Sequence, residues 1–258
     1  MARKPQPKGH HQSLSLQYAF DIQQPPPGPL HLGLEFPELY EIRVNGRPLC
    51  SDMDDGWWVD RSLRTLAIDP AMLVRGTNRV ELTTDYHQDH PGLEIVYLLG
   101  RFGTKVRDTE VTLTAAPEQL KLGNWTRQGL SFYSGTVSYL STIRPKLASD
   151  ERLFLRVGGY EGVAVRAWLN GQCCGVAGWE PNEIELTEHL ADAARCELAI
   201  EVLGHRRNSH GPLHVALDKL RWTGPSQFTP GVQPRTEGYH LVPCGLTAPP
   251  ELIVRQPS

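Results

Sequence analysis

Trp125 and Tyr133 in GNWTRQGLSFYSG, Tyr160 in a Gly-flanked loop, and Trp179 beside Glu180 in GWEPN set aromatic rings next to polar groups. Asn208, His210 and His214 stand in a further Gly/Pro segment, GHRRNSHGPLH. Aromatic faces with a few fixed polar groups suit the apolar face and the hydroxyls of a sugar ring, and such platforms usually sit on loops. The same tryptophans could instead pack in a core or between domains. Trp168, in the middle of VAVRAWL, is expected to pack.

Other chemistries fit less well. His205, His210 and His214 follow an H-x4-H-x3-H spacing, but zinc needs convergent tetrahedral ligands, and a Gly-Pro loop has no helical spacing to enforce that. Arg206, Arg207 and Asn208 in that loop suit a carboxylate or another domain better. His87 and His90 with Asp85 and Asp89 read as a solvated loop. Asp52, Asp54 and Asp55 resemble a calcium loop, yet Gly56 and Leu63 occupy the positions where an EF-hand needs an acid or Asn and a Glu. No cofactor is expected, a structural calcium held by scattered oxygens being the remaining option. Glycoside hydrolysis requires paired carboxylates; Glu35, Glu94, Glu161, Glu180 and Glu183 lie in no catalytic context, and no nucleophile elbow, P-loop or dinucleotide loop is present. The chain is expected not to be an enzyme.

The elements that would position these residues occur twice. LEFPELYEIRVNGRPL, GWWVD and LAIDPAMLVRGTNRVELTTDY recur, roughly 120 residues on, as LFLRVGGYEGVAVRAWLNGQCCG, GWEPNEIELTEHL and CELAIEV, too long a unit for a solenoid repeat. Asn45-Gly46 matches Asn170-Gly171, and Trp57-Trp58 matches Trp179. Asn-Gly favours a tight hairpin because both residues tolerate positive φ. SLSLQYAFDI, SLRTLAID, TVSYLSTI and CELAIEVLG alternate apolar and polar residues as half-buried strands do. QQPPPGP breaks regular structure. DPAMLVRGTN reads as a short helical turn or loop, EHLADAAR as one short helix, and HVALDKLRWT as a strand. The proline-rich tail suits an edge strand. The expected architecture is all-β, two tandem jelly-roll sandwiches. The expected boundaries are a disordered tail over 1–12, a first domain over 13–104 and a second over 105–258.

Composition agrees with this picture. The chain has 258 residues, 40% hydrophobic and 21% charged, with 24 Gly and 21 Pro, an excess that fits many turns. A net charge of −3 gives no polyelectrolyte signal, so no nucleic-acid partner is expected. No apolar run reaches the roughly 18 residues of a membrane span. MARKPQPKGHHQ lacks an apolar core and does not read as a secretory signal. Five cysteines without framework spacing read as reduced thiols, which favours a cytoplasmic setting.

LFLRVGGYEGVAVRAWLNGQCCG, GWEPNEIELTEHL and CELAIEV resemble the galactose-binding-like sandwich of family 2 sugar-binding type found in glycoside hydrolases. Glu185-Leu186-Thr187 and Leu190 occupy its acid-Leu-Thr-x-x-Leu motif. GNWTRQGLSFYSGTVSY, GHRRNSHGPLH and YHLVPCGLTAPPEL resemble segments from the C-terminal region of large α-L-rhamnosidase-like glycosidases. Cys244 departs from that pattern, where an aromatic residue is expected, and the Cys173-Cys174 pair is unusual for it. The resemblance spans about residues 14–252 and implies accessory domains. A barrel that would carry the catalytic carboxylates needs roughly 250 residues of its own. The expected partners are therefore a carbohydrate or a glycosidase catalytic domain. A scaffold without sugar affinity and a protein-docking module remain the alternatives.

Overall fold

The computed structural model describes residues 11–50, 54–190, 195–215, 224–228, 231 and 235–256. The chain divides into two compact units, Met1–Pro117 and Glu118–Ser258. Among the described residues it is nearly all β, with one four-residue helix, α1 (Arg207–His210).

The first unit contains β1 (Gln12–Ile22), β2 (Leu30–Glu35), β3 (Glu41–Val44), β4 (Arg47–Leu49), β5 (Asp54–Trp58), β6 (Asp60–Ile68), β7 (Gly76–Tyr86), β8 (Tyr97–Leu99), β9 (Gly103–Arg107) and β10 (Glu110–Thr114). One sheet runs β4-β3-β7-β1-β10-β9 and a second runs β5-β6-β2-β8. Period-2 alternation turns Val80 and Leu82 of β7 inward and Arg79 outward. They meet Ile22, Ile42, Val44 and Leu113 of their own sheet and Leu30, Leu32, Leu34, Leu66 and Ile68 of the other in one core. Burying each such side chain is worth about 1.5–3 kcal/mol before chain entropy is counted. The helical turn expected at DPAM is a 3-10 turn, Pro70–Met72, capped by the Asp69 carboxylate, which accepts from the Ala71 N–H.

The expected boundary at 104/105 needs correction. β10, taken as the opening strand of the second domain, pairs in parallel with the end of β1 (Asp21↔Thr112, Ile22↔Leu113), and its Leu113 is buried in the first core. Parallel partners far apart in sequence leave no local turn signal.

The second unit contains β11 (Thr136–Ile143), β12 (Arg152–Arg156), β13 (Tyr160–Glu161), β14 (Ala164–Leu169), β15 (Gln172–Ala177), β16 (Glu183–Glu185), β17 (Cys196–Leu203), β18 (Gly245–Leu246) and β19 (Glu251–Arg255). Its sheets run β11-β17-β14-β15, β16-β12-β19 and β13-β18. Leu153 and Leu155 of β12 pack against Val165, Ala167, Leu169, Leu198, Ile200 and Val202 in a single core. The proline-rich tail supplies β18 and β19, and β19 lies at a sheet edge. HVALDKLRWT falls almost wholly outside the described residues, where only Val215 forms an isolated bridge, to Arg235. Of EHLADAAR, the described part joins a 3-10 turn, Thr187–His189, and 191–194 lie outside.

Asn45 and Gly46 have φ of 50° and 77°, Asn170 and Gly171 of 49° and 80°, both pairs in the left-handed region that a two-residue hairpin requires. Both asparagines then do the same work. The Asn45 side-chain oxygen accepts from the Arg79 N–H at 2.8 Å, and that of Asn170 from the Glu197 N–H at 2.9 Å. Their backbone N–H groups donate to the carbonyls of the same two residues. The strand order β4-β3-β7-β1 therefore matches β15-β14-β17-β11.

Candidate functional site

The most exposed tryptophan among the described residues lies in the turn between β15 and β16. The Asn182 N–H donates to the Trp179 carbonyl at 3.0 Å, and the Asn182 carbonyl accepts from the Val157 N–H at 2.9 Å, tying the turn to the end of β12. Trp179 is 84% exposed. The Asn182 amide nitrogen donates to the Glu180 carboxylate at 2.8 Å and fixes it beside the indole. Tyr160 of β13 is close enough that burial, and after it the Glu180 charge, raises its phenol pKa, so the hydroxyl stays a donor at neutral pH. An indole face in water, an oriented carboxylate acceptor and a phenol donor suit the apolar face and hydroxyls of a pyranose. Of the expected contacts, Tyr160 thus lies near Glu180, the residue that follows Trp179. Asn182 was missed, although its place after a proline in a Gly-Trp turn was a usable signal.

The matching tryptophan of the first unit is also exposed. Trp57 is 57% exposed on β5, opposite Arg64 of β6. Asp54 forms an ion pair with Arg64, and the Asp55 carboxylate lies 2.8 Å from His31 Nε2. Trp58 packs on Tyr97, with ring centroids 4.9 Å apart. Of two adjacent strand residues, one faces out and one packs. Two of the three acids of the calcium-like loop are thus already engaged, and Asp52 lies outside the described residues.

Trp125 requires a correction: it is fully buried in the second core. Asn124 caps the 3-10 turn Trp125–Gln128 by accepting from the Thr126 N–H at 2.9 Å. The same oxygen accepts from Cys244 N–H, and the Trp125 N–H donates to the Cys244 carbonyl at 2.8 Å. The tail thereby closes over the indole. It comes so near that a side chain at Gly245 (φ 133°) would meet the Gly123 carbonyl at 2.5 Å. Tyr133 leans on Trp125 edge-on at 6.1 Å and donates its hydroxyl to the Thr136 carbonyl at 3.1 Å. Tyr133 is 42% exposed.

Asn208, also expected as a ligand contact, is buried as a clamp. Its amide donates to the Val242 carbonyl at 2.8 Å and accepts from the Val242 N–H at 2.9 Å. His205 reaches the Pro243 carbonyl at 2.9 Å. His210 Nδ1 lies 2.7 Å from the Ser209 hydroxyl, and burial lowers its pKa. His214 packs on Tyr239 at 4.9 Å and lies 3.3 Å from the Gly238 carbonyl. The loop thus holds the 238–243 segment. The three Arg207 side-chain nitrogens are buried with no hydrogen-bond partner among the described residues, and burial lowers that pKa too. No group of three potential metal ligands assembles among the described residues.

Trp168 lies half-buried on the outward side of its sheet. Its indole N–H donates to the Glu201 carboxylate at 2.8 Å, and Arg166 lies 5.1 Å over the ring while donating to the same carboxylate at 2.7 Å. None of the five cysteines forms a disulfide. Cys244 is buried, its pKa pushed up to about 11, and such a thiol is inert. No helix among the described residues is long and apolar enough to cross a membrane.

No protein-family model matches the chain, and no curated protein does. Among solved structures, a rhamnosidase from Novosphingobium sp. PP1Y aligns over 87% of this chain and 21% of its own, at 15% identity and a TM-score of 0.36. The chain therefore spans about a fifth of that rhamnosidase's length.

Proposed function

We propose that this chain is a non-catalytic carbohydrate-contacting accessory module of a glycoside-hydrolase-like protein, built as two tandem jelly rolls of galactose-binding-like type. The observation that carries the reading is that the tryptophan of the Gly-Trp pair projects into solvent in both units, at Trp57 and Trp179. An exposed indole gains nothing for folding, and retaining it twice fits a surface that meets an apolar sugar face. Tyr160, Glu180 and Asn182 supply polar contacts around Trp179. Reaction chemistry, cofactor and metal are assigned to no residue of this chain, and the catalytic carboxylates belong to a separate domain.

The rival reading is a scaffold without sugar affinity that supports a catalytic domain. It draws on the burial of Trp125 and Asn208. A glycan array followed by calorimetry separates the two. The proposal expects binding that falls at least tenfold in Trp179→Ala. Binding unchanged in Trp179→Ala, Trp57→Ala and the double variant removes the proposed sites. Absence of binding to every glycan leaves the scaffold.

A further inference from the structure

Among the described residues, β11 is a free sheet edge of an unusual kind. Its sequence TVSYLSTI has no charge, proline or glycine, whereas sheet edges are normally blunted by charges, prolines or bulges. The opposite edge, β15, is blunted by a bulge in its pairing between Ala167 and Trp168. In the first unit, β1 holds the matching place and receives β10 on that side at Asp21 and Ile22. Among the described residues β11 pairs with β17 alone, and Leu140 is 80% exposed at its centre.

The hydrogen bonds establish which backbone groups are free. Gly135 gives its carbonyl to Gly204, inward toward β17, while the Thr136 carbonyl is taken from the other side by the Tyr133 hydroxyl. Backbone direction alternates along a strand. Ser138, Leu140 and Thr142 therefore present their N–H and C=O to the open edge, and all three are exposed.

We propose that a second copy of this chain pairs antiparallel along β11, with a two-fold axis at Leu140, so that the two sheets become one. In that register Leu140 exchanges both backbone bonds with its counterpart, and Ser138 exchanges them with Thr142 of the other copy. An isologous contact must be self-complementary, and this one is. Leu140 meets Leu140, extending the row in which Leu140, Ala199, Trp168 and Cys173 lie side by side across the sheet. The charges flanking the strand match as well. Arg195 reaches the Thr142 hydroxyl at 3.5 Å, and Glu201 accepts from the Ser138 hydroxyl at 3.4 Å. With Thr142 beside Ser138 of the other copy, each Arg195 faces the other copy's Glu201. A one-residue slip would turn each exposed side chain toward the wrong face, and a two-residue slip would part the Leu140 pair. The inference stands apart from the carbohydrate reading.

The test is light scattering after size exclusion, over a dilution series of the full chain. The wild type is expected as a dimer. Leu140→Lys, which sets two ammonium groups together on the axis, and Leu140→Pro, which removes an N–H that no internal strand uses, are expected as monomers. Val176→Lys on the opposite edge stays dimeric. Thr142→Lys serves if either Leu140 variant fails to fold. In a Cys50→Ser/Cys173→Ser background, Leu140→Cys is expected to give a covalent dimer on oxidation, since paired residues stand about 5.5 Å apart at Cα. A wild type that is monomeric at every concentration overturns the proposal. So does a dimer that survives Leu140→Lys and Thr142→Lys.

Discussion

The two units solve the same hairpin with the same asparagine and then diverge one residue away from it. In the first, Asn78 precedes Arg79 and is buried. Its amide donates to the Val74 and Gly76 carbonyls, and its oxygen accepts from Asn45 Nδ2 and the Val74 N–H. In the second, Cys196 precedes Glu197 at the matching place, buried in an apolar core. One copy staples its hairpin to the loop before β7 with a polar network; the other packs a thiol there. The lesson is that the turn chemistry is held in common while its support is negotiable. A fully satisfied buried network and a small apolar side chain both avoid a stranded polar group.

Three measurements would break or sharpen this contrast. The largest effect is expected at the second core. Trp125→Ala should cost about 3–5 kcal/mol, seen as early unfolding of that unit alone in a chemical melt. Trp125→Phe should recover most of the loss, because the indole N–H has no hydrogen-bond partner among the described residues to forfeit. A shift of the first unit's transition as well would mean that the units do not unfold separately.

Next come the twin asparagines. Asn170→Ala loses the bond to Glu197 N–H and places alanine in the left-handed region, about 2 kcal/mol. Asn45→Ala should cost more, about 3 kcal/mol, because it also abandons the Met72 carbonyl and Asn78. Equal losses would show that the polar network adds nothing.

The smallest effect is an acid-side one confined to the second unit. Glu183 sits between Arg156, at 2.9 Å, and Arg255, at 2.8 Å. The hydrogen bond from Arg156 leads in holding its carboxyl below the usual glutamate value of 4.5. Because the folded pKa is depressed, this stabilisation is complete above the unfolded value and disappears as pH falls through the folded one. Glu183→Gln should therefore lower Tm at neutral pH and flatten its decline below pH 4.5. An unchanged acid limb would assign the pair no role.

Much of this was legible in the residues. Asn-Gly demands positive φ, so both hairpins could be read directly, and alternation located most strands. Whether Trp57 and Trp179 face solvent or pack was left open by the sequence, and both are exposed. Trp125 has the same local appearance, with Gly and Asn before it, yet it is buried because Cys244 and Gly245 return from far along the chain to cover it. β10 was misplaced for the same reason, its partner lying near the start. Asn208 looked like a loop amide until Val242 arrived to use both ends of it. Local sequence encodes turns and faces; which segment covers which is a property of long-range closure.

That closure has a kinetic side. β12 finds β19 roughly 100 residues later, with Arg152 opposite Arg255, and pairings so distant in sequence fold slowly because loop entropy is spent before any contact forms. During synthesis, β12 must wait on the ribosome with one of its two partners absent. The second unit should accordingly emerge as the slower of two refolding phases and be the one most dependent on chaperones.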